Sequence, residues 1–171
     1  MAWERNNVGT PSLWRERDTW YLFYHGFGAS GAGPDDCQVG VATGRDLRAL
    51  VRHAKNPVLR TGAAGTWDCG TVGKRSIVKE GDYYYMAYEG STDQPYETAR
   101  WSTGLARNKD LLTCEKYPTP ILPRTVRGFG YDGPEWLRTP DGVLHLYFRT
   151  RKGATGRATL VRKECAFTGR G

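Results

Sequence analysis

The chain has 171 residues and a mass of 19.2 kDa, with 39% hydrophobic and 25% charged residues, enough for one ordinary domain with a core and too little for two large ones. Lys and Arg number 25 against 18 Asp and Glu, a net charge of +7 and a pI near 9.4. The basic residues are spread out, and their densest groups (Arg15 to Arg17, Lys74-Arg75, Arg149 to Lys152) are broken or flanked by acids, glycines or aromatics, which describes a solvated basic surface better than a nucleic-acid footprint.

No run of about 18 apolar residues exists, and Met1-Ala2-Trp3-Glu4-Arg5 lacks the basic-then-apolar plan of a signal peptide. The expectation is therefore a cytoplasmic protein with no membrane partner. A content of 22 Gly, 9 Pro, 10 Tyr and 6 Trp favours strands and turns over long helices.

In chain order, short β-rich runs are predicted at Ser12 to Arg15, Trp20 to His25, Gln38 to Ala42 and Pro57 to Arg60. They are separated by the charged turn Glu16-Arg17-Asp18, a Gly-rich loop from Gly26 to Asp36 and a polar loop. A second set follows at Ser76 to Lys79, Tyr83 to Glu89, Thr103 to Arg107 and Pro120 to Leu122. The segment Pro134 to Phe148 starts a third set, and Ala158 to Val161 is its candidate third strand. In WYLFYH and YYYMAY both alternate faces are apolar, so the second strand of each set is expected to be covered on both sides.

These sets repeat. A shift of 64 positions carries Trp3-Glu4 onto Trp67-Asp68, Val8-Gly9 onto Val72-Gly73, Ser12 onto Ser76, Tyr24 onto Tyr88, Gly26 onto Gly90 and Asp46-Leu47 onto Asp110-Leu111 without a gap. A further shift of 59 carries Arg75 onto Pro134, Ser76 onto Glu135 and Asp82 onto Asp141. Four-stranded sheets buried face to face, recurring every 60-odd residues with loops of fixed length, describe propeller blades. The fold class expected is all-β: a partial β-propeller of two full four-stranded blades plus a third incomplete blade. It forms a single propeller-like domain with repeat units at about 1–63, 64–125 and 126–171. A β-sandwich or barrel made by duplication is the rival, and it accounts less well for the gapless loop lengths.

Cys37, Cys69, Cys114 and Cys165 are widely spaced, without Cys-x-x-Cys or a nearby histidine pair. Free, mostly buried thiols are expected in preference to two disulfides. No phosphate loop, nucleophile elbow or metal-ligand helix motif occurs, so no cofactor and no metal is expected.

The run VGVATGRDL, then NPVL, a Trp-Asp loop, SIVKEGDYYYMAYEGS and GLARNKDL resembles the blade sequence of the five-bladed propeller glycosidases, the class of arabinanases, invertases, levansucrases and mannosyl phosphorylases. The likeness covers nearly the whole chain, which is long enough for about half of a five-bladed ring. The resemblance implies cleavage or synthesis of glycosidic bonds by acids at the mouth of a central funnel, contributed by the innermost strands of successive blades.

Glycoside hydrolysis uses two carboxyl groups. In an antiparallel hairpin the start of the first strand lies beside the end of the second, which brings the segments before Ser12, Ser76 and Glu135 to one rim with His25, Glu89 and Arg149. Asp132, in Tyr131-Asp132-Gly133-Pro134, is similar to the Glu-Gly-Pro that carries the general acid in many arabinan- and xylan-cleaving members; Asp-Gly-Pro is equally a plain turn. Glu135 stands where the other copies have serine. Asp68, with its equivalent Glu4, lies in a loop leading to an inner strand, and the recurrence of the Trp-acid pair also reads as scaffold. Arg75 replaces Pro11 and Pro134 and offers a fork of donors. Catalytic candidates are thus Asp132, Glu135 and Asp68. Candidates for holding sugar are Arg75, His25, Glu89 and Arg149, with Trp67 and Trp136 as stacking rings.

The function expected is a carbohydrate-active protein of the propeller glycosidase type with an oligosaccharide partner. The alternative is a catalytically silent carbohydrate-binding or assembly module, and polyanion binding comes third. An arc of three blades ends in two apolar faces, so a homodimer is expected.

Overall fold

The computed structural model describes residues 2–28, 37–125, 130–150 and 155–159. Among the described residues, eleven strands form three antiparallel sheets in simple meander order. The first holds β1 (Asn7–Glu16), β2 (Thr19–Phe27), β3 (Gln38–Gly44) and β4 (Val51–Arg52). The second holds β5 (Thr71–Glu80), β6 (Tyr83–Ser91), β7 (Ser102–Asn108) and β8 (Glu115–Lys116). The third holds β9 (Asp132–Arg138), β10 (Leu144–Arg149) and β11 (Thr155–Thr159). Helix is limited, among the described residues, to two single 3-10 turns at Ala2–Glu4 and Tyr96–Thr98. Sheets of four, four and three strands are those of a partial propeller.

Two-residue turns close the first two hairpins, each with its first residue in the left-handed region. Gly81 sits there at φ +57° without steric cost, and Arg17 does so at +52°. The second strands carry the core, as their doubly apolar runs predict: Phe23 and Tyr24 in β2, and Tyr84, Met86, Ala87 and Tyr88 in β6, are buried.

The outermost strands differ from expectation. Pro57 to Arg60 is not the fourth strand of the first sheet. Pro57 has no N–H for a ladder, and the pairing is made by Val51 and Arg52 opposite Thr43 and Ala42. Only Leu59 returns, opposite Val39. Between the two pieces the buried Asn56 side chain stands in for a rung. The Val41 N–H donates to Asn56 Oδ1 at 2.9 Å, and Asn56 Nδ2 donates to the Val41 carbonyl at 2.9 Å. In the second sheet, likewise, Glu115–Lys116 and not Pro120 to Leu122 form the strand. Leu122 there exchanges both backbone bonds with Thr103, at 3.0 and 3.1 Å. In both cases the apolar signal of Asn-Pro-Val-Leu and Thr-Pro-Ile-Leu reported a segment folded back on the sheet, not a continuous ladder. The expected strand at Ala158 to Val161 starts earlier, at Thr155, and its last two residues lie outside those described. Cys37, Cys69 and Cys114 are free thiols, and Cys165 lies outside the described residues.

The chain divides into two compact units, Met1–Lys74 with Gly90–Ala99, and Arg75–Glu89 with Arg100–Gly171. The first unit is built on buried Phe23, Val39, Val41, Val58, Leu59 and Val72. The second packs Ala87 and Leu105 of the second sheet against Trp136 and Leu146 of the third, with Val78, Tyr85, Ile121 and Leu144 around them.

Candidate active site

The second unit gathers six of the residues singled out from sequence. Its centre is the hairpin end where Asp132 of β9 pairs with Arg149 of β10 across a register irregularity. The guanidinium is bidentate: Arg149 Nε donates to Asp132 Oδ1 at 2.7 Å and Nη2 to Oδ2 at 2.8 Å. Gly133 follows in the left-handed region at φ +58°. Its N–H donates to Glu89 Oε2 at 3.1 Å, so the buried Glu89 carboxylate at the end of β6 holds the backbone of the Asp132 turn. Three residues on, Glu135 Oε1 accepts a hydrogen bond from Ser76 Oγ at 2.8 Å, and the same Oγ accepts from the Trp136 N–H at 3.0 Å. Arg75, next to Ser76 on β5, is 1% exposed. A guanidinium so deep in a sheet is costly unless anions or acceptors surround it. Trp136 is buried in the core between the second and third sheets.

Ser76 and Gly133, which contact Glu135 and Glu89, were not among the residues singled out from sequence. The 59-residue register aligns Ser76 with Glu135 but gives no sign that the two touch.

The first unit holds the other three. His25, 4% exposed, ends β2 opposite Gly9. A hydrogen bond of 2.9 Å joins its Nδ1 to Thr10 Oγ1. A Cβ added at Gly9 would lie 2.9 Å from His25 Nε2, so the ring takes the space of a side chain there. Thr10 has φ +45°, a left-handed conformation strained for a β-branched residue. Edge-to-face rings of Phe27 and Tyr96, centred 5.0 and 4.7 Å from the imidazole, complete the cluster.

Trp67 and Asp68 lie flat on Gly90. An added Cβ there would stand 2.7 Å from Trp67 Cζ3 and 2.8 Å from Asp68 Cβ. Trp3 and Glu4 lie in the same way on Gly26, at 2.7 Å for both contacts. This recurrent packing is the scaffold use of the Trp-acid pair.

The two acids then diverge. Asp68 is buried, with Thr66 Oγ1 at 3.2 Å from its Oδ1. Glu4 accepts from the Tyr24 hydroxyl at 2.6 Å and lies 3.0 Å from Arg52 Nε, while Asn56 Nδ2 donates to the Tyr24 oxygen at 3.2 Å. Burial, and then the neighbouring carboxylate, push the Tyr24 phenol well above its ordinary value. Beside this network lies an open cavity of about 400 Å³, walled by Val8, Pro11, Leu22, Ala42 and Leu50 with Tyr24 and Arg52 at its edge.

The fold, three meander sheets with polar hairpin ends, is that of the β-propeller glycoside hydrolases. No family model and no curated protein matches the chain, but solved structures do. Fructan 1-exohydrolase IIa from Cichorium intybus matches over 96% of this chain and 32% of its own, with a TM-score of 0.70 and 12% identity. Zg3597, a family 117 glycoside hydrolase from Zobellia galactanivorans, matches over 89% of this chain and 50% of its own, at 0.68 and 14%. The GH32 β-fructofuranosidase BmSUC1 of Bombyx mori matches over 87% and 33%, at 0.64 and 15%. The chain therefore spans a third to a half of the length of these structures. Likeness at such identity is a likeness of fold.

Proposed function

We propose that the chain is a carbohydrate-active protein of the propeller glycosidase type, acting on glycosidic substrates at the polar hairpin ends of its sheets. In the second unit Asp132 and Glu135 are its acid/base candidates and Arg75, Glu89 and Arg149 its candidates for holding sugar; in the first unit Asp68 is a separate acid candidate and His25 a separate sugar-holding candidate. The reading is carried by the hairpin end of the third sheet. There two carboxylates occupy positions that the repeat register gives to Gly9 and Gly73, and to Ser12 and Ser76, so neither acid belongs to the features that recur from unit to unit. The named activities of similar folds make fructosides the first substrates to try. In a screen of nitrophenyl glycosides with fructo-, arabino-, galacto- and manno-oligosaccharides, we expect turnover of at least one, lowered about a hundredfold or more when both Asp132→Asn and Glu135→Gln are present. A chain that neither cleaves nor binds any of them would end the reading.

A silent carbohydrate-binding module is the second reading, and the bidentate engagement of Asp132 by Arg149 supports it, because that acid is already partnered. Binding without cleavage selects it. A homodimer belongs to the same proposal, supported by exposed Val8 and Leu13 on β1 beside the apolar cavity. Light scattering is expected to give about twice 19.2 kDa, and a monomer mass at micromolar concentration rejects it.

A further inference from the structure

We infer that Glu135 is the proton-transferring carboxyl of this site, that Ser76 is the residue that positions it, and that Asp132 with Arg149 forms a fixed sugar-facing pair. The inference rests on the carbohydrate-active reading and takes it one step further, to which of two neighbouring acids moves a proton.

The two carboxylates are three residues apart on β9 and are held in opposite ways. Asp132 has both oxygens on one guanidinium, at 2.7 and 2.8 Å. A carboxyl so clamped accepts twice, and it can carry a proton to a glycosidic oxygen only by breaking the pair. Glu135 is exposed and accepts one hydrogen bond, through Oε1. Its Oε2 has no hydrogen-bond partner among the described residues. One oxygen anchored and the other presented is the arrangement that general acid–base work needs.

The anchor is firm because Ser76 is itself held. Ser76 is 3% exposed, and its oxygen accepts from the N–H of Trp136, whose ring is buried in the core between the second and third sheets. With a lone pair committed to that N–H, the hydroxyl proton points to Glu135. Glu89, on Gly133 N–H, fixes the backbone between the two acids. In the step itself, the Glu135 proton passes to the glycosidic oxygen as the bond to the anomeric carbon breaks and its electron pair stays on that oxygen. The leaving sugar departs as an alcohol, and Glu135 regains a proton from the water that completes hydrolysis.

The test is made on the full chain with whichever glycoside of the panel it cleaves. Glu135→Gln should lower kcat about a hundredfold or more. Ser76→Ala should lower it about tenfold with KM within twofold, because the anchored oxygen of Glu135 loses its hydrogen bond. Ser76→Thr, which keeps the hydroxyl, should restore most of the rate. Asp132→Asn should raise KM and lower kcat less than Glu135→Gln does. An unchanged kcat in Ser76→Ala, or a Glu135→Gln protein that keeps its kcat, overturns the inference. If no glycoside of the panel is cleaved, the inference falls together with the hydrolytic reading, whereas cleavage that survives Glu135→Gln overturns the inference alone.

Discussion

The first and third hairpins end alike in backbone and unlike in chemistry. Each has a register irregularity near its open end, between Gly9 and Ser12 in one and between Tyr147 and Arg149 in the other. Each has a left-handed residue at the position the repeat aligns, Thr10 at φ +45° and Gly133 at +58°. Beside that residue, the first hairpin has Gly9 lying under the His25 ring, with no room for a side chain. The third has Asp132 there, held by the residue opposite. One end is filled by an imidazole ring. The other is an ion pair facing outward, with Arg149 largely exposed. The same bulged frame therefore presents either a closed aromatic cluster or an open charged one, and only the open one carries the acids the proposed chemistry requires.

Exchanging the left-handed residues should break this comparison most visibly. Gly133→Thr places a β-branched residue at φ +58° in a turn whose N–H must still reach Glu89, and is expected to destabilise the chain by about 1–3 kcal/mol. The reverse exchange, Thr10→Gly, removes comparable strain and also removes the bond to His25, worth roughly 0.5–1.5 kcal/mol. Its net effect should be small. Urea unfolding of the two variants checks both, and a Gly133→Thr protein as stable as the parent would show that the third hairpin does not need glycine's freedom.

Much of this frame was legible in the sequence. The doubly apolar second strands, the two hairpin turns and the placing of His25 and Arg149 at strand ends all follow from period-2 patterning and turn residues. The fold-back of Asn-Pro-Val-Leu was not, because a buried apolar run is the same signal whether it pairs along a ladder or lies across it. Asn56 was silent too, since a side-chain amide that replaces a backbone rung has no periodicity. At the site, the sequence picked out Asp132 by the likeness of Asp-Gly-Pro to a family motif and Glu135 as a departure from the repeat. It had no means of showing that Arg149 engages both oxygens of one acid and Ser76 one oxygen of the other. Those are contacts between strands 17 and 59 residues apart, and register, not composition, decides them.

The smallest expected effect sharpens the contrast between the ion-paired end and the ring-filled end. The Asp132–Arg149 pair has good geometry, but the arginine side chain is 67% exposed, and pairs of that kind contribute under about 1 kcal/mol in water. Asp132→Asn should therefore lower the unfolding midpoint only slightly in dilute buffer. At 1 M NaCl, where screening acts over about 3 Å, the parent should lose the same small increment and the two midpoints should converge. Thr10→Val, which deletes the hydroxyl's bond to His25, should keep its deficit at both salt concentrations, since a hydroxyl–imidazole bond is not an ion pair. Convergence of the first pair without the second would establish that the two ends are held by different forces. A deficit for Asp132→Asn that persists in high salt would mean that the aspartate acts in the fold through the turn backbone, and the picture of an outward-facing, ligand-directed ion pair would have to be given up.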